Sequence, residues 1–149
     1  MRVLVQRVAS ANVIANGAIT GAIAQGLLLL VGITHADTEV VEDRMADKVV
    51  KLRIFSDEKG LMNRSVIDVG GGILAVSQFT LYADAKGGNR PSYTAAARPE
   101  QASPAFDRFV AKLAARIGKA VPTGVFGADM KVSLVNDGPV TIWLDSATL

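Results

Sequence analysis

Gly26-Leu27-Leu28-Leu29-Leu30-Val31-Gly32-Ile33-Thr34 is the stretch on which the fold turns, because an unbroken apolar run of β-forming residues reads as a strand buried on both faces. Such a strand belongs at the centre of a sheet. Upstream, Met1 to Ala15 alternates, with Val3, Val5, Arg7, Ala9, Ala11 and Val13 on one parity. Asn16-Gly17 then gives a hairpin signal before a return strand from Ala18 to Ala24. Downstream the period changes. Val41, Met45, Val49 and Leu52 recur at helical spacing, with acids early (Asp37, Glu39, Glu42, Asp43) and bases late (Lys48, Lys51, Arg53), which predicts a helix from Thr38 to about Ile54.

Farther out, Ser56-Asp57-Glu58-Lys59-Gly60 is a polar turn and Leu61 to Asn63 a short extended piece. Gly70-Gly71-Gly72 leads into a strand predicted from Ile73 to Tyr82, followed by a loop from Asp84 to Arg98. Ser103-Pro104 opens a second helix whose apolar face is Phe106, Phe109, Val110, Leu113 and Ile117, and Gly118 ends it. Two strand-like stretches close the chain, Met130 to Val135 and Val140 to Leu144, with Asn136-Asp137-Gly138-Pro139 between them. No linker or repeat divides residues 1–149, so the expectation is one α/β domain.

Half of the 149 residues are apolar but only 5% are aromatic, so the core is expected to be aliphatic and base-stacking platforms few. Without Cys and with a single His, the chain offers neither a disulfide framework nor the usual zinc ligands. Arg2, Gln6 and Arg7 interrupt any leader-like apolar start, and Leu27 to Ile33 falls far short of the ~20 residues that span a bilayer. These features point to a cytoplasmic protein with no membrane partner. The formal charge of +2 permits an anionic partner without demanding one.

Few side chains are equipped for chemistry. His35, between a strand end and a helix start, reads as a solvated or capping residue before it reads as catalytic. Ser77-Gln78-Phe79-Thr80 lies late in a predicted strand, where alternation sends Ser77 and Phe79 to one face and Gln78 and Thr80 to the other. It is either an ordinary ladder strand, a nucleophile site at Thr80, or a set of backbone N–H groups able to bind an oxyanion. Gly138-Pro139 is either a hairpin turn or a rigid unit that aims carbonyl oxygens outward. Lys86 to Tyr93, with Arg98, offers phosphate contacts or is simply solvated. Gly124 to Met130 is a pocket wall, with Phe126 and Met130 as its aromatic and thioether, or a turn into a strand.

Taken together, these segments resemble the D-aminoacyl-tRNA deacylase family (D-tyrosyl-tRNA(Tyr) deacylases). Ser77-Gln78-Phe79-Thr80 corresponds to its Ser-Gln-to-Thr motif and Asn136 to Thr141 to its Asn-x-Gly-Pro-x-Thr motif. The likeness extends through the Arg7 strand, Asn89-Arg90-Pro91 and Gly124 to Met130, covering essentially the whole chain. It implies an α/β domain of largely antiparallel sheets flanked by two main helices, paired as a homodimer in which a Gly-cisPro unit, Gly138-Pro139, inserts into the partner's active site.

By the same resemblance, the substrate is the aminoacylated 3′ end of tRNA, and the ester of a D-amino acid is hydrolysed. Glycyl-tRNA mischarged on tRNA(Ala) is an expected second substrate. The catalytic positions are Ser77, Gln78, Phe79 and Thr80, with backbone N–H groups of the last three meeting the ester and its oxyanion. Gly138 and Pro139 accept from the substrate amino group and exclude an L side chain, Arg7 braces them, and Phe126 and Met130 enclose the terminal adenine. The ribose 2′-OH assists the attacking water, and no cofactor or metal is implied. Two rival readings are a hydrolase with Thr80 as nucleophile and a non-catalytic RNA-binding module built on the Lys86 to Arg98 loop.

Overall fold

In the computed structural model, which describes residues 1–149, the apolar run forms β3 (Gly26–Gly32) between β1 (Arg2–Ala15) and β6 (Gly72–Ser77). β3 pairs antiparallel with β1 and parallel with β6. Alternate residues of β3 and β6 serve two apolar layers. Leu27, Leu29, Val31, Ile73 and Ala75 face one, and Leu28, Leu74 and Val76 the other. Both faces of these strands are thus covered, as the run of leucines predicts.

The first layer is capped by α1 (Glu39–Lys51) and α2 (Pro99–Ile117), which contribute Met45, Val49, Phe106, Phe109 and Leu113. A ladder of charge joins the two helices. Arg108 forks onto the buried Glu42, Lys112 Nζ donates to Asp43 Oδ2 at 2.7 Å, and Arg116 bonds both Asp43 and Asp47. The second layer lies inside the curl of the sheet, where Val8, Ala11 and Val13 meet Met130, Val132 and Leu134.

β1 is the spine. One edge pairs with β3 over Arg2 to Val8 and with β2 (Ala18–Ile23) over Ala11 to Ala15, while the other edge carries β7 (Met130–Asp145) along nearly its full length. The β1–β2 hairpin turns at Asn16 and Gly17, both at positive φ, as a tight two-residue turn requires. A small hairpin, β4 (Phe55–Ser56) and β5 (Met62–Arg64), follows α1. The result is a single α/β domain with a curled mixed sheet and two helices. No helix is long and apolar enough to cross a membrane.

Five local expectations need correction. β1 does not keep one parity, because register shifts against β7 on either side of Val8 turn Val8 inward and leave Ala9 exposed. α1 stops at Lys51 rather than near Ile54, since the chain turns extended at Leu52 to reach β4. α2 begins at Pro99, not Ser103. Arg98, extended as residues before proline prefer, precedes Pro99 in the first turn, and Pro104 sits inside the helix.

The strand expected to reach Tyr82 ends at Ser77, because its partner β3 stops at Gly32; Phe79 to Tyr82 instead form a 3₁₀ turn. Finally, Met130 to Val135 and Val140 to Leu144 are not two separate strands. They are one strand that runs antiparallel to β1 throughout and bulges at Asp137 to Val140.

Candidate active site

The end of β6 and the 3₁₀ turn after it form one wall of a cavity of about 580 Å³. Ser77, Gln78 and Phe79 line it from this side, Tyr93 and Arg98 from the long loop, and Phe126 and Met130 from the segment that leads into β7. Thr80 does not line it. Phe79 and Tyr93 meet edge to face at 5.0 Å on the rim, and Phe79 stays about half exposed. The only carboxylate in the lining, Asp129, is exposed and paired with Lys131.

The turn's backbone explains what this wall can offer. Gln78 N–H donates to Val31 O at 2.8 Å and Leu81 N–H to Gln78 O at 3.2 Å, so both are occupied. The N–H groups of Phe79 and Thr80 stand at the open start of the turn, where the turn supplies no acceptor of its own. Of the three N–H groups the resemblance nominates, that of Gln78 is taken up by Val31 O and those of Phe79 and Thr80 are not bonded within the turn. The Thr80 hydroxyl accepts from Gln78 Nε2, and neither histidine nor lysine lines the cavity.

Arg2 holds the turn from behind. Its Nη1 donates to Leu81 O at 2.8 Å, its Nε to Asp145 at 3.0 Å, and its guanidinium lies 4.5 Å from the Tyr82 ring centre and 5.6 Å from that of Trp143. Burial pushes the Tyr82 phenol well above its ordinary pKa, so it stays protonated. Nothing local in the sequence marks Arg2, because its partners lie about eighty and 143 residues away.

The second motif forms a separate construction. Thr141 pairs with Gln6 and Asn136 with Val8, so the four residues Asp137 to Val140 stand opposite Arg7 alone. Asn136 closes the neck of this bulge: its Oδ1 accepts from Val140 N–H at 2.7 Å and its Nδ2 donates to Thr141 Oγ1 at 3.0 Å. Arg7 braces the inner side, donating from Nε to Asp137 O at 2.8 Å and from Nη1 to Ile54 O at 2.6 Å. Gly138-Pro139 is a cis peptide, and both residues are exposed. At φ 143° Gly138 occupies backbone space that side-chain-bearing residues avoid; a Cβ there would lie 2.9 Å from Val140 N. None of Arg7, Gly138 and Pro139 lines the cavity.

A sequence model of the family described as D-Tyr-tRNA(Tyr) deacylase matches residues 4–145. The chain belongs to that family. It is 62% identical to a D-aminoacyl-tRNA deacylase of Dechloromonas aromatica and 64% identical to one of Chromobacterium violaceum, each alignment covering 98% of this chain and 97% of the relative. Among solved structures, the c-Myc DNA Unwinding Element Binding Protein superposes with a TM-score of 0.90 at 40% identity, over 97% of this chain and 98% of that one. A probable eukaryotic D-amino acid tRNA deacylase shares the fold, with a TM-score of 0.82 at 16% identity over 96% and 97% of the two chains.

For a member of the D-Tyr-tRNA(Tyr) deacylase family, the residues left aside are as informative as those brought together. His35 lies outside the cavity; its Nε2 is 3.0 Å from Thr94 O, and its own carbonyl accepts from Gln101, tying the long loop to α2. No group of three or more His, Cys, Asp or Glu is arranged to hold a metal ion. Lys86 and Arg90 are exposed on the loop, which Asp84 and Ser92 close by paired backbone bonds of 2.8 Å.

Proposed function

We propose that this chain hydrolyses the ester that joins a D-amino acid to the 3′ end of tRNA, in a site composed of main chain and shared between two copies. The observation that carries the shared site is the separation of its parts. The cavity holds Ser77, Gln78, Phe79, Phe126 and Met130, while the braced Gly138-Pro139 bulge is exposed and takes no part in lining the cavity of its own chain. A rigid, exposed, side-chain-poor projection fits a site that a second subunit completes.

In this reading the terminal adenosine enters the cavity against Phe126 and Met130. The ester carbonyl reaches the start of the 3₁₀ turn. Water adds to the carbonyl carbon, and the oxyanion is met by the N–H groups of Phe79 and Thr80, fixed donors that need no reorganisation as charge develops. The bond to the ribose oxygen then breaks and that oxygen takes a proton, releasing free D-amino acid and tRNA. With neither histidine nor lysine in the cavity lining, the ribose 2′-OH assists the water. The Gly138 and Pro139 carbonyls of the other subunit accept from the substrate amino group and leave no room for an L side chain. Glycine presents nothing to exclude, so glycyl-tRNA, including tRNA(Ala) mischarged with glycine, is also hydrolysed. On this reading the protein works in the cytoplasm, as a homodimer of the 1–149 domain.

Subunit complementation tests the shared site. Gly138→Ala damages the projection and Ala128→Trp fills the cavity, so each homodimer is expected to be nearly inactive. Co-expressed chains form mixed dimers in which one of the two sites has neither defect, and activity returns. Mixed dimers as inactive as either parent would contradict a site built from two subunits.

A further inference from the structure

Four cations gather at the C-terminal end of α1 around a second hollow of about 510 Å³: Arg44, Lys48, Lys51 and Arg53, all exposed. Asp47 is the one acidic side chain in the lining, and Arg116 Nε already holds it at 2.5 Å. The remainder of the chain carries twelve cations against thirteen acids, so the positive excess of the whole protein lies here. A terminal carboxylate on Leu149, which also lines the hollow, would take one charge off that surplus and leave it positive.

The fold accounts for part of this arrangement, since Arg44 donates to Ser146 O and Arg53 to Asn63, but it gives Lys48 no partner and Lys51 only Asp47. The helix dipole favours Lys48 and Lys51 in the last turn, but Arg44 is mid-helix and Arg53 lies beyond its end. Arg44, Lys48 and Lys51 occupy positions i, i+4 and i+7, a stripe of like charge that destabilises an isolated helix. Such a stripe is tolerated where an anion offsets the repulsion.

The patch also has a defined relation to the proposed site. Arg53 is followed by Ile54, whose carbonyl accepts from the same Arg7 that holds the Gly138-Pro139 projection. The basic face and the projection are thus neighbours on one subunit. On the reading above, the projection reaches toward the 3′ end of a tRNA bound by the partner.

We propose that Arg44, Lys48, Lys51 and Arg53 bind the phosphate backbone of the tRNA whose 3′ end occupies the other subunit's cavity. The contact is non-specific for sequence and acts on binding of the whole tRNA rather than on the chemistry at its end.

Lys48→Glu/Lys51→Glu tests this, because Lys48 makes no ion pair and Lys51 only an exposed one with Asp47 at 3.6 Å. Binding of uncharged tRNA is measured across a salt series, independently of turnover, with the thermal midpoint of each protein as a folding control. The variant is expected to bind roughly tenfold more weakly at low salt, with a salt slope shallower by about one unit per lysine. Unchanged affinity and slope would overturn the proposal. So would loss of retention on anionic lipid vesicles with tRNA binding unchanged, which would assign the patch to a membrane surface. Failure of the parent protein to release any amino acid from D-tyrosyl-tRNA would count against the deacylase reading alone, since the binding experiment still decides the patch.

Discussion

Arg7 and Asp137 are joined through main chain rather than charge: Arg7 Nε donates to the Asp137 carbonyl oxygen at 2.8 Å, whereas the Asp137 carboxylate stands 3.8 Å away and is 53% exposed. The same guanidinium donates to Ile54 O, so one planar fork ties the bulge to the segment after α1. Arg7→Lys keeps the charge but cannot span both carbonyls. It is expected to lower deacylation at least about tenfold and stability by about 1–3 kcal/mol. Asp137→Ala keeps the carbonyl and is expected to change the rate less than about twofold. Initial rates and urea unfolding of both variants check this, and equal damage from the two would assign the link to the carboxylate instead.

Gly138→Ala places a Cβ 2.7 Å from Val140 Cγ2 and 2.9 Å from Val140 N, at a φ that side chains disfavour. The backbone has to move, at a cost of about 1–3 kcal/mol. Because the bulge is exposed and its neck is closed by Asn136, the domain is expected to stay folded while activity falls by about two orders of magnitude. Near-normal turnover in a folded Gly138→Ala protein would remove the projection from the mechanism.

Thr80→Val keeps the shape of the side chain and the backbone N–H but removes the hydroxyl that accepts from Gln78 Nε2. A backbone-based site predicts activity within about tenfold of the parent, since a lost neutral hydrogen bond is worth roughly 1 kcal/mol. Complete inactivation with an unchanged thermal midpoint would make Thr80 a nucleophile.

The sequence carried the layers of the fold better than the places where pairing stops. Gly26 to Gly32 announced a strand covered on both faces because leucines of both parities need burial, and the Asn16-Gly17 turn followed from its φ requirements. The end of β6 at Ser77 was not legible: Ile73 to Tyr82 is uniformly strand-like, and only the exhaustion of β3 as a partner curls Phe79 to Tyr82. The choice between a hairpin turn and a rigid unit at Gly138-Pro139 was open for the same reason, since the neck of the bulge forms only when β1 lies alongside. Among the site residues, Phe126 and Met130 do line one cavity with Ser77 to Phe79. Arg2 escaped notice because every partner it has is distant in sequence.

The ladder between α1 and α2 makes a separable prediction about pH. The hydrogen bond from Lys112 lowers the Asp43 pKa and that from Arg116 lowers the Asp47 pKa, both below the ordinary 3.8. Depressed carboxylate values contribute stability that is present above the unfolded pKa and lost as pH falls through the folded values. This contribution to the thermal midpoint is expected to be level from pH 5 to 8 and to decline below about pH 4. Arg116→Met should flatten the decline, and an unaltered acid profile in that variant would place the acid sensitivity elsewhere.

This chain is expected to remove D-amino acids from tRNA and to spare L-amino acids, and parallel incubation with D-tyrosyl-tRNA and L-tyrosyl-tRNA decides whether it does. D-tyrosine should be released rapidly, with L-tyrosyl-tRNA decaying no faster than in buffer. Release from neither substrate, or equal release from both, would contradict this expectation.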